Sequence, residues 1–380
     1  MKNYNDAPVL VIWELSQACD LACVHCRASA LPDRNPLELT TEEGFRLLET
    51  VRCFGDPLMV FTGGDPLKRP DLFALLEKSV GLGLRTTITP SATPLLNEDA
   101  IDRFRRCGVA RMAISLDGPD ASSHDGFRRV EGSFGQTLFG LDYARKVGLP
   151  TQINTTITRH NLHRLGEIAG LVCEYGARLW SVFFLVATGR ASASLDLTAE
   201  EYEGVFRFLY GLSRTVPFDI KTTEAQHYRR YVAQQRKAEG FPGKRPWQPL
   251  EVIQRQSGIN DGRGFVFISH TGEIHPSGFL PVSAGNVRRN SLVDVYRNSA
   301  LFRTLRDADN LRGKCGDCEF RNLCGGSRSR SFALTGDYLA EDPKCIYEPR
   351  QTGRVKRPVA AELVLANAPA STPQLVQIRF

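Results

Sequence analysis

The chain has 380 residues, 42% hydrophobic and 24% charged, a composition suited to one large α/β domain with a smaller one. A formal net charge of +6 permits an anionic substrate without demanding nucleic acid, and no segment matches a nucleic-acid-binding module. No apolar run reaches membrane-spanning length and no signal pattern opens the chain, so a cytoplasmic protein with no membrane partner is expected. Ten cysteines in that setting speak for metal or redox chemistry rather than disulfides.

The apolar run Val9–Glu14 predicts a first, buried strand. Directly after it comes Cys19-Asp-Leu-Ala-Cys23-Val-His-Cys26. Three thiolates on one short loop can hold three irons of a cubane cluster and leave the fourth iron open to a ligand. Two other readings stand beside it: a zinc site with His25 as an awkward fourth ligand, and three plain core cysteines. His25, next to Cys26, suits packing or hydrogen bonding better than ligation.

A helix follows, opened by the capping box Thr40-x-x-Glu43, with Phe45, Leu48 and Val51 at helical spacing. Leu58–Phe61 is the second strand. It runs into Thr62-Gly63-Gly64-Asp65-Pro66, where two glycines allow a close backbone approach and a carboxylate could pair with an ammonium group. On its own this motif is only a tight turn. A helix with Leu72, Leu75, Leu76 and Val80 inward is next, then a strand at Leu84–Thr89 and a helix near Glu98–Cys107.

The fourth strand, Ala110–Ser115, ends in Ser115-Leu-Asp117-Gly118, which is either a ligand contact or a strand running into a turn. The helix after it carries Phe134, Leu138, Leu141 and Val147. In the fifth strand, Thr151–Ile157, Asn154 is polar, so it lines a cavity or makes an inward hydrogen bond. A helix with Leu162, Leu165, Ile168 and Val172 leads to the sixth strand, Leu179–Val186, and to Thr188-Gly-Arg190. The box Thr198-x-x-Glu201 opens the last helix of the series. Six strand–helix units imply a parallel sheet with right-handed crossovers, whose chemistry collects on loops after the strand ends.

Residues 216–263 are rich in Lys and Arg and read as a linker with a helix near Glu224–Lys237, either a solvated face or a cationic rim for a carboxylate-rich substrate. From Gly264 a hairpin is expected, Phe265–Ile268 and Glu273–His275 about a Thr271-Gly272 turn. Cys315-x2-Cys318-x5-Cys324 and Cys345 then supply four thiolates, enough to close a metal site, as zinc or as an iron–sulfur cluster. Cys53, Cys107 and Cys173 fall on helical segments and are expected to be core residues. Beyond residue 348 a mobile tail of no readable function is expected.

The cysteine loop, with Trp13-Glu14 before it and Arg27-Ala-Ser-Ala30 after it, resembles the radical S-adenosylmethionine (SAM) enzymes, most closely their haem-pathway branch. The resemblance implies a partial (β/α)6 TIM-like barrel over 8–215, the linker 216–263, a small SPASM-like iron–sulfur domain over 264–348 and the tail 349–380. It implies a [4Fe-4S] cluster on Cys19, Cys23 and Cys26 that binds SAM. Gly63, Gly64, Asp65 and Pro66 resemble the motif that holds the SAM amino group, with Asp65 where glutamate is usual. Ser115, Asp117, Asn154 and Arg190 would be further SAM contacts.

Cys315, Cys318, Cys324 and Cys345 match the ligands of the outer auxiliary cluster, whereas Ser277 and Arg328 stand where an inner cluster needs cysteines. One auxiliary [4Fe-4S] cluster is therefore expected, with Arg328 placing a cation in the vacated space. Cleavage of SAM to a 5′-deoxyadenosyl radical and hydrogen abstraction follow from the resemblance, with ferredoxin or flavodoxin as reductant. The substrate expected first is a tetrapyrrole. A ribosomal peptide is the alternative, although a first strand starting by Val9 leaves no room for an N-terminal peptide-recognition module. A non-catalytic zinc-binding interaction protein is the third reading. No general acid or base is nominated.

Overall fold

The computed structural model describes residues 3–240 and 258–350. Seven parallel strands follow one another across the sheet in chain order: β1 (Leu10–Glu14), β2 (Leu58–Thr62), β3 (Arg85–Ile88), β4 (Arg111–Ser115), β5 (Thr151–Ile157), β6 (Leu179–Phe184) and β7 (Asp219–Thr223). The helices between them are α1 (Thr41–Arg52), α2 (Leu72–Gly81), α3 (Glu98–Arg106), α4 (Ala121–Arg128), α5 (Ser133–Lys146), α6 (Leu165–Glu174) and α7 (Ala199–Leu212), with α8 (Tyr228–Ala238) after β7.

Both capping boxes form, Thr40 with Glu43 and Thr198 with Glu201, each cap stabilising its helix by about 1 kcal/mol. The alternation of the strands sets two faces. Val11, Trp13, Met59, Phe61, Met112, Ile114, Ile153, Trp180, Val182 and Ile220 point at the helices and make the core with residues such as Leu48, Leu75, Ile101, Ile168 and Phe206. The other face lines the barrel lumen. Ser115, Asn154, Ser181 and Lys221 lie in one register row across β4 to β7.

The seventh strand lies within the stretch read as a linker, and α8 begins at Tyr228 rather than Glu224, which sits at φ +57. Residues 241–257 of that stretch, and 351–380 of the expected tail, lie outside the described residues. The hairpin forms as β8 (Phe265–Ile268) and β9 (Glu273–His275), with Gly272 at φ +89 in its turn and β10 (Gly285–Asn286) beyond. It is not a separate sheet: β8 pairs in parallel with β1, so ten strands share one sheet. Among the described residues, short helices α9 (Leu292–Asn298), α10 (Ala300–Arg306), α11 (Gly313–Asp317) and α12 (Arg328–Thr335) follow.

The expectation that Cys53, Cys107 and Cys173 are core residues fails for Cys53 and Cys173, which are exposed; Cys107 is half-buried and packs against the core. Cys53 and Cys107 take the C-cap positions of α1 and α3, and Cys173 lies one residue past the buried Val172 on α6.

Candidate active site

The loop after β1 brings Cys19, Cys23 and Cys26 into one buried cluster with Leu21 and Ala30. Donors already point at the sulfurs. Leu21 N donates to Cys19 Sγ and Ala30 N to Cys26 Sγ, both at 3.4 Å, and Arg128 Nη1 donates to Cys23 Sγ at 3.7 Å. N–H groups aimed at sulfur are what a cluster-bound thiolate needs, so the loop fits a three-cysteine cluster. The thiols are not drawn together onto a one-ion site, and neither is any other trio of His, Cys, Asp or Glu among the described residues.

Most of the residues expected to touch SAM brace this loop. A Cβ on Gly63 would lie 2.6 Å from Ser16 O, and one on Gly64 would lie 2.6 Å from Gln17 O. The close approach these glycines permit is therefore to the chain's own backbone, where Gly64 N and Asp65 N donate to Ser16 O and Ala18 O at 2.7 and 2.6 Å. Asp65 is buried and accepts from Leu67 N, Ser91 N and Thr93 Oγ1, and Pro66 starts the 3-10 turn that Asp65 caps. Burial raises the pKa of Asp65. Arg190 clamps the loop from the far side: its N donates to Cys26 O, its Nε to Cys23 O and its Nη1 to Ala30 O. Gly189, at φ +61, has no room for a Cβ against Cys26 and Arg27.

Asp117 is fully buried and holds Arg128, which in turn reaches Cys23; its Oδ1 accepts from Thr156 N at 2.7 Å. Burial opposes its charge, but Arg128 and His25 outweigh burial and lower the pKa. His25 packs rather than ligates, stacked on Phe127 at 4.3 Å, with burial pulling its pKa down to about 4. Of the expected SAM contacts, Ser115 and Asn154 are the pair left partly exposed on the lumen face, side by side in register.

Residues to which the sequence reading assigned no role of their own complete the site. Arg128 ends α4, a helix with little apolar periodicity whose buried side chains are His124 and Phe127. Glu14, at the end of β1, pairs with Arg27 and His270, and Arg27 also donates to Gly278 O. The cysteine loop is thus tied to the C-terminal hairpin. No local spacing marked Arg128, because its partners Asp117 and Cys23 lie 11 and 105 residues away in the sequence.

Cys315, Cys318, Cys324 and Cys345 line a common hollow with His227, Arg230, Gly326 and Tyr347. Phe320 N, Gly326 N and Asp342 N donate to Cys318, Cys324 and Cys315 at 3.4 Å, so these thiols also fit a cluster. Arg328 is buried, with Nη2 at 3.7 Å from Cys315 Sγ and Nη1 on the carbonyls of Tyr338 and Ala340. Ser277 meets Ser329, which is anchored on Asp261. The basic run contributes inward: Arg229 donates to Ile259 O and Arg230 pairs with Glu203.

Between hollow and barrel lies a buried polar network. Arg330 pairs with Asp342 at 3.2 Å, donates to Glu224 O and Leu185 O and lies over the Tyr202 ring. Glu224 accepts from Ser327 Oγ, and burial, with Asp261 adding, raises its pKa well above the usual carboxylate range. A raised folded pKa favours the protonated native state. The stability it contributes is complete below the ordinary Glu value and drains as pH rises through the raised one. Glu224→Gln is expected to flatten this decline, with a thermal midpoint above the wild type at pH 9 and close to it at pH 5.

The model of the radical SAM superfamily matches residues 13–172. The chain is 42% identical over 344 residues to an AdoMet-dependent heme synthase of Oleidesulfovibrio alaskensis, covering 90% of this chain and 88% of that one. It is 39% identical to an AdoMet-dependent heme synthase of Methanosarcina barkeri, covering 90% of this chain and 98% of the other. Among solved structures, Streptococcus suis SuiB bound to S-adenosylmethionine superposes with a TM-score of 0.70 at 18% identity, over 90% of this chain and 78% of that one.

Proposed function

The chain belongs to the radical SAM superfamily, and on that premise we propose that it makes haem by converting propionate side chains of an iron porphyrin to vinyl groups. It is an enzyme whose cofactors are a [4Fe-4S] cluster and SAM, with an auxiliary cluster of SPASM type. The observation that carries the substrate is the likeness, along nine-tenths of the chain, to enzymes named AdoMet-dependent heme synthase.

Turning –CH2–CH2–CO2⁻ into –CH=CH2 releases carbon dioxide, one hydrogen atom and one electron. When bound at Cys19, Cys23 and Cys26, the cluster with SAM supplies a 5′-deoxyadenosyl radical to take that hydrogen atom. Cys315, Cys318, Cys324 and Cys345 would hold the auxiliary cluster, a store for the electron released. The chain's own residues do the positioning. Asp65 and Arg190 fix the cysteine loop, Arg128 presents a cation to Cys23, and Ser115 and Asn154 offer polar groups to SAM in the lumen. A cytosolic setting, with ferredoxin or flavodoxin as reductant, suits ten cysteines that are all free thiols.

Anaerobically reconstituted protein given SAM, dithionite and iron coproporphyrin III, which carries propionates where haem b has vinyls, is expected to yield haem b. Each vinyl group should appear with one 5′-deoxyadenosine. Formation of 5′-deoxyadenosine with no vinyl porphyrin by mass spectrometry would end the haem reading.

A further inference from the structure

We infer that the barrel lumen is a carboxylate socket, in which Lys221 of β7 and Arg111 of β4 hold a propionate while the porphyrin ring lies against Phe183 and Phe279. The inference rests on the haem-synthase reading and names the groups that recognise the substrate's charge.

Strand alternation fixes the direction of both cations. Ile220 and Met112 are buried on the helix side, so Lys221 and Arg111, their chain neighbours, point into the lumen. In the sheet β4 and β7 are separated by β5 and β6. Yet the Arg111 charge acts on Lys221: burial first, then Arg111 and Arg229, pull its pKa down to about 8. Both cations thus face the same lumen, from strands separated in the sheet by two others. Burial and Arg85 likewise lower the pKa of Arg111, with Asp219 partly offsetting them.

Lys221 and Arg111 make no ion pair or hydrogen bond among the described residues. Beside Lys221 in register, Ser181 Oγ is buried without a partner among the described residues, and Thr223 Oγ1, further along the same face of β7, is in the same condition. Buried polar atoms are normally satisfied, and two cations gathered about the single carboxylate of Asp219, which acts on Arg111, are only partly balanced. One carboxylate would answer both, accepting from the cations and from the hydroxyls. Two residues beyond Ser181, Phe183 is partly exposed, its ring 6.4 Å from that of Phe279, and the Arg27 guanidinium lies over Phe279. A flat apolar ring carrying an acidic arm matches that sequence of surfaces.

The test is a Soret-band titration of the reconstituted protein with iron coproporphyrin III and, in parallel, its tetramethyl ester. Lys221→Met and Arg111→Met are each expected to weaken binding of the acid about tenfold, the scale of one lost charge-assisted hydrogen bond, with little change for the ester. Lys221→Arg should keep wild-type affinity, and iron content reports that the variants have folded. Because Lys221 must be protonated to bind an anion, wild-type affinity should fall as pH rises above about 8, with Lys221→Arg unaffected. Unchanged acid binding in both Met variants, or equal losses for acid and ester, would overturn the socket alone. A wild type that binds no iron porphyrin would overturn the haem reading and the socket with it.

Discussion

Cys23→Ala is expected to lower 5′-deoxyadenosine formation more than about a hundredfold, a loss that even an outer partner of a metal ligand can cause. Cys23 is the sulfur to choose because it is held by contacts outside its own loop. Arg128 donates to it, Asp117 fixes Arg128, and Arg190 grips its carbonyl oxygen. The bound iron gives a second readout. Two four-iron clusters predict about eight irons per chain, and replacing Cys19, Cys23 and Cys26 together should leave about four. A wild-type value near twelve would point to a third cluster and contradict the filling of the inner position by Ser277 and Arg328. Both residues are buried and hydrogen-bonded to their neighbours.

Arg330→Met should cause the largest loss of stability. Arg330 and Asp342 are fully buried, and the guanidinium also satisfies the carbonyls of Glu224 and Leu185. Removing one partner of such a pair strands the other charge in the interior, at a cost of about 3–5 kcal/mol. For a chain of this size that corresponds to a fall in thermal midpoint of about 5 °C in the reconstituted protein. Asp342→Asn alone should also destabilise, and the double variant should recover part of the loss, because neither charge is then left unpaired. Additive losses in the double variant would show that the pair is not the source of the effect.

How much of this was legible in the sequence depended on whether a feature was local. The cysteine loop, both capping boxes and six of the parallel strands carry their signal in adjacent residues, and they were readable. The seventh strand was not, because Asp219, Lys221 and Thr223 face a polar lumen and leave Ile220 as the one apolar mark of a strand. The roles of Asp65, Asp117 and Arg190 were legible as positions but not as contacts. Their partners include backbone atoms and side chains from 11 to 167 residues away, which no spacing rule reports. Arg128 was missed for the same reason: its value lies in meeting Cys23 across that distance. The exposed Cys53 and Cys173 show the opposite error, where residue type alone suggested burial and the helix face decided otherwise.

The parallel pairing of Leu10 with Phe265 has a consequence for how the chain reaches this form. β1 is made long before β8, the strand that covers one of its edges, which follows the seven parallel strands of the barrel in the chain. Until β8 arrives, β1 offers a row of open backbone donors and acceptors to any passing strand. Contacts of such long sequence separation form late and slowly. The newborn barrel would therefore pass through an association-prone stage, and a fragment ending after β7 would never leave it.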